Sequence, residues 1–151
     1  MSRAPEVERP SLGQTLAAFS LAGARVIHLI VAPEHFREWF AAGVFFVALA
    51  LIQGAGAGAV LSDRIARSAS FRLALSAVSG GTILLWVVSR TVGMPGPDAG
   101  MPERVGALDG ASTILEAVTL LAVWMLSERW GLTTQRDRAR PPARADTRSA
   151  A

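Results

Sequence analysis

The chain contains no cysteine. Disulfides, thiolate metal sites, iron–sulfur clusters and thiol nucleophiles are therefore excluded. Lysine is absent as well, so all 15 basic residues are arginine, a bias that points to a GC-rich coding sequence rather than to a mechanism. Histidine occurs twice, at His28 and His35. No nucleophile–base pair of a hydrolase can be identified. The glycine-rich "GAGAG" at 54–58 is not a phosphate loop, because no strand precedes it, no Lys-Ser/Thr follows it and it lies inside an apolar block. The basic balance comes largely from an arginine-rich C-terminal segment, so it gives no argument for a nucleic-acid partner.

Apolar residues, by contrast, are plentiful: they make up 51% of the 151 residues. They do not form amphipathic stripes with polar backs. They come in long blocks, as segments solvated by lipid do. A hydrocarbon core about 30 Å thick needs roughly 20 apolar residues of helix. Four blocks meet or approach that length, at about 12–32, 36–61, 71–88 and 110–126. Four such helices in a chain this short cannot all bury one another, so the expected fold is all-α: a bundle of four transmembrane helices in a multi-pass protein of the plasma membrane. Residues 12–130 form its membrane domain. Residues 1–11 and 131–151 are polar without apolar periodicity, and disorder is expected for both. The first block is too long for a signal peptide, contains Arg25 and follows Glu6 and Glu8, so it is expected to be retained as a helix.

Proline suits the first turn of a helix and acids suit its positive end. The order Ala32-Pro33-Glu34 thus predicts a tight turn between the first two spans at Ala32-Pro33. Orientation follows from arginine placement. Eleven arginines lie in the N-terminal segment, around the 62–70 connection and in the tail, against three (Arg37, Arg90, Arg104) on the other side, with Arg25 inside the first span. Both termini are expected to be cytoplasmic. Trp39 and Trp86 then mark the outer interface, and Trp124 and Trp130 the inner one.

Within that frame the stretch "VIHLIVAPEHFREWF" (26–40) gathers both histidines, Glu34, Arg37 and Glu38 beside strongly apolar flanks. Most of these charges sit where the chain turns through water. Arg25, His28 and Glu116 lie deeper, and an ionisable group at depth costs a few kcal/mol unless paired or hydrated. Asp109 and Glu116 are seven residues apart and share a helix face. The reading is an outward-opening polar pocket lined by Arg25, His28, Asp109 and Glu116, with His35 and Glu38 at its rim and Arg90 on the same side. Arg25 and Glu116 are matched in depth and expected to meet, either as a structural ion pair or as part of a site. His28, His35 and Glu38 are candidate metal ligands, since two imidazoles and a carboxylate can bind zinc, copper or iron; they are alternatively hydrogen-bonding anchors at the interface. Gly54 and Gly58 form a Gly-x-x-x-Gly pair expected at a close helix contact, as is Gly80-Gly81. Gln53, deep in the second span, is expected to hydrogen-bond between helices.

The segments "HLIVAPEHFREWFAAGVFF", "ALIQ", "WVVSRTVGMPGP" and "PERVGALDG", followed by Glu116, resemble a largely uncharacterised family of small four-span bacterial membrane proteins of actinobacterial type. The resemblance covers about residues 20–120. It implies membrane location and topology and supplies no reaction. Two functions from different classes then compete. One is an accessory or partner-binding membrane subunit, possessing a polar site in its outer half and meeting either another membrane protein or a second copy. The other is a metal- or haem-binding redox or transport component using His28 and His35, which suffice for one metal ion or a single bis-histidine haem. An enzyme ranks below both. A transporter of common design needs repeats or broken helices near the midplane, and neither is visible.

Overall fold

The computed structural model describes residues 9–96 and 99–139, with side chains described to residue 130. Among these residues the regular structure is all α-helix: α1 (Leu12–Glu38), α2 (Phe40–Ala59), a single turn α3 (Asp63–Ala66), α4 (Ala69–Thr91) and α5 (Ala107–Ala139). Helices α1, α2 and α4, and α5 as far as Trp130, are each long and apolar enough to cross a membrane. The N-terminal residues 1–8, Asp98 and the tail from residue 140 lie outside the described residues. Helix α5 continues to Ala139, past residue 131, where the polar composition predicts disorder to begin.

Ser11 starts α1 with a capping box. Its hydroxyl accepts from the Gln14 N–H at 3.3 Å, and its own N–H donates to Gln14 Oε1 at 2.8 Å. The same Gln14 side chain donates to Asp63 Oδ1 at 2.7 Å, tying the start of α1 to α3.

The expected turn at Ala32-Pro33 does not occur. Pro33 lies inside α1, which runs on to Glu38. Proline removes one helical hydrogen bond, a loss that membrane helices tolerate when neighbours and local adjustments re-satisfy the backbone. The chain breaks instead at Trp39, whose extended backbone (φ −154, ψ 117) ends α1 and caps α2. Gly43 makes this one-residue link possible. A Cβ there would fall 2.3 Å from the Phe36 ring, so only glycine lets α2 start so close to α1. Glu34, His35, Arg37 and Glu38 consequently sit on the last turns of α1, not on the first turns of α2. At the other crossover on this side, α4 ends where Gly93 adopts a left-handed φ of +80 and its N–H reaches the Val88 carbonyl.

Spatially the helices follow the order α2, α1, α5, α4, with contacts between each successive pair. Helices α2 and α4 barely touch. They meet where Gly56 approaches Leu75, then separate toward the end carrying Trp39 and the 92–106 loop, here termed the hairpin end. A groove of about 270 Å³ lies between them, lined by Phe45, Leu49, Ile52, Val78, Gly81 and Leu85.

The apolar core occupies the opposite, terminal end, where Ala17, Leu21, Val60, Leu75, Ala122 and Leu126 are buried together. Elsewhere the usual pattern is inverted. Gln14, Ser20, His28, Gln53, Ser79, Glu116 and Thr119 are buried, while Phe19, Leu73 and Ile114 are 76%, 71% and 66% exposed. Polar inside and apolar outside suits a bundle whose solvent is hydrocarbon, because each buried polar group then has helix neighbours and each exposed apolar one has lipid.

Candidate functional site

A polar layer runs through the middle of the bundle. Gln53 of α2 joins its two halves. Its Oε1 lies 2.8 Å from His28 Nδ1 on α1, and its Nε2 donates to Glu116 Oε1 on α5. With Gln53 oriented in that sense, His28 donates through Nδ1. All three side chains are buried, at 2% exposure or less. Glu116 Oε2 and the Ser79 hydroxyl of α4 are both buried without a hydrogen bond, and Ser79 neighbours Glu116. One turn along α5 from Glu116, Thr119 Oγ1 and Ser20 Oγ of α1 are 2.8 Å apart. Every long helix thus contributes a polar group to this layer. In hydrocarbon such contacts carry helix association, at about 0.6 kcal/mol on average and up to about 1.7 kcal/mol each.

The residues expected to line one pocket fall into four places. His28 and Glu116 share the buried layer through Gln53. Arg90 and Asp109 form a separate cluster at the hairpin end: Arg90 pairs with Glu103, reaches Asp109 Oδ2 at 2.6 Å and donates to Ser89 Oγ at 2.8 Å, and it lies over the Trp86 ring. Asp109 also accepts from the Gly106 N–H, at the first turn of α5. This cluster clamps the 92–106 loop onto the ends of α4 and α5. His35 and Glu38 form a third group, 3.4 Å apart on the exposed end of α1.

Arg25 stands alone. It does not meet Glu116, and among the described residues it has no ion pair or hydrogen bond. Its side chain lies on the outside of the bundle against α2, so close that a Cβ on Gly54 would come within 2.7 Å of Nη1. Arg25 is the middle residue of α1, 13 residues from each end, and nine residues, about 13 Å of helix, from Glu34, the first charged residue toward the hairpin end.

The packing expectations divide similarly. Gln53 does bond between helices. Gly54 is filled by an arginine side chain of α1. Gly58 has nothing within 4 Å, and neither have Gly80 and Gly81. Gly56 is the close-packed glycine, with Leu75 at 3.0 Å and Leu21 at 3.5 Å from a Cβ placed there.

The two imidazoles do not converge. His28 Nδ1 faces Gln53 and His35 Nδ1 faces Glu38. Phe46, missed in the sequence, contacts both rings: it stacks on His35 at 4.1 Å and is tilted against His28 at 5.6 Å. No group of three or more metal-ligating side chains occurs among the described residues. Geometry therefore does not favour the metal- or haem-binding alternative.

Compared with protein-family models, with curated proteins and with solved structures, the chain matches none.

Proposed function

We propose that this is a small multi-pass membrane subunit that acts by binding another membrane protein. The observation that carries the reading is Arg25. A guanidinium at the centre of a membrane-spanning helix costs about 2.5–3.5 kcal/mol on insertion scales. Such residues ordinarily face the bundle interior and find a partner there. Here His28 and Glu116 are each bonded to Gln53 inside the bundle, and the arginine is left on the outer surface against Gly54. A charge kept in that position has its use outside the chain. The arginine bias supports both termini in the cytoplasm and the hairpin end outside the plasma membrane. The likeness to small four-span bacterial membrane proteins supports the same location.

The test is extraction of wild-type protein from its own membranes in polymer-bounded lipid discs, which keep neighbours together. Wild type should carry a second polypeptide in fixed ratio, and Arg25→Leu should lose at least tenfold of it at equal yield of the subunit. Discs containing this chain alone, or a companion retained by Arg25→Leu, would contradict the proposal.

A further inference from the structure

We propose that the face formed by Arg25, Gly54 and Gly58 docks a transmembrane helix of a different protein, one carrying a carboxylate near mid-depth. The inference rests on the subunit reading above and names the chemistry of its partner.

The shape of the face comes from three residues. Arg25 packs its side chain against Gly54, which the pairing of His28 with Gln53 sets about two residues nearer the hairpin end than the arginine's own backbone, so the guanidinium stays beside α2 within the span. One turn along α2, Gly58 is exposed, with no atom within 4 Å of the point where a Cβ would stand, leaving a notch on the same side of the helix. Ala55 beside it is also exposed. Leu51, two turns from Gly58 on the same face of α2, is 62% exposed. Small residues between apolar flanks let a second helix backbone approach closely, and a helix seated there passes directly over the arginine.

Charge decides the occupant. A guanidinium pairs best with a planar carboxylate or a phosphate, through two parallel hydrogen bonds. Lipid phosphates lie at the interface, whereas Arg25 is nine residues, about 13 Å of helix, inside Glu34, the first charged residue toward the hairpin end, and its guanidinium lies against Gly54 of α2. A second copy of this chain does not supply the carboxylate either. Glu116 is the acid placed deep within the spans among the described residues, and it is fully buried and held by Gln53. The other acids, such as Glu38, Asp63 and Asp109, sit at helix ends. Two copies meeting through this face in the same orientation would bring two unpaired arginines to one depth. The carboxylate must therefore come from a different chain.

The chain lacks cysteine, so Ala99→Cys provides a unique site for a fluorophore on the full-length protein in phosphatidylcholine vesicles. The probes are labelled leucine–alanine host helices with a single central Glu, Leu or Lys, and energy transfer reports association. The Glu helix should associate at least tenfold more tightly than the Leu helix, with the Lys helix no better than Leu. Arg25→Leu should erase the Glu preference, Arg25→Glu should transfer it to the Lys helix, and Gly58→Phe should weaken Glu-helix binding severalfold. Absence of a Glu preference in wild type, or its survival in Arg25→Leu, overturns the proposal. If the preference is absent while Arg25→Leu still releases the companion from native discs, the subunit reading survives and the acidic partner fails. If neither effect appears, both fail.

Discussion

A leucine in place of Gly56 would have to share space with Leu75 and Leu21, while the same change at Gly58 meets open volume. Overpacking of this kind costs about 1–3 kcal/mol, whereas an outward change without contacts stays within about 0.5 kcal/mol. Gly56→Leu should therefore lower the melting temperature of the isolated protein in detergent, and Gly58→Leu should leave it unchanged. Equal effects would mean that the packing face of α2 is misplaced. The sequence marks this region as a small-residue helix face, because glycines inside an apolar block have few other uses. Which glycine packs is not legible there: the Gly-x-x-x-Gly pattern names 54 and 58, but α2 turns residue 56 toward the core. Gln53 is legible as an interhelical hydrogen-bonder from its polarity at depth. Its partners are not, because a turn at Pro33 gives α2 the wrong register against α1. His28 with Gln53, and His35 with Phe46, lie symmetrically about residues 40 and 41, and only a turn at Trp39 pairs them.

At the scale of elements, the four spans are legible because a bilayer dictates their length and their outward faces must be apolar. The limit of α1 is not, since proline marks a helix start in water but is tolerated mid-helix when the surrounding structure satisfies the backbone. This extension moves Glu34, His35 and Glu38 from one helix to another and makes Arg25 the middle residue of α1. It does not alter which connections share a side: the Trp39 link and the 92–106 loop are together, opposite the Ser62–Ser68 turn. Arginine placement leads us to propose that this second side is cytoplasmic. Single cysteines at Ala99 and Ser68 can be probed in intact cells with a membrane-impermeant maleimide. Labelling at 99 with protection at 68 is expected, and the reverse pattern would invert the orientation.

The whole molecule divides along its axis. Its terminal end is sealed by Ala17, Leu21, Val60, Leu75 and Leu126, its middle by the His28–Gln53–Glu116 layer, and its hairpin end is fastened by Arg90. The ionisable groups inside the bundle are thus engaged by their own chain, and Arg25 on its flank is not. A double-mutant cycle of Arg25→Leu, Glu116→Gln and the pair, read as unfolding free energies of the isolated protein in detergent, tests this most directly. Sites with no shared partner add within about 0.5 kcal/mol, so the losses should sum, with Arg25→Leu neutral or stabilising by itself. Destabilisation by each single change, with the pair more stable than the sum by more than about 1 kcal/mol, would show that Arg25 and Glu116 are each other's counter-ion after all.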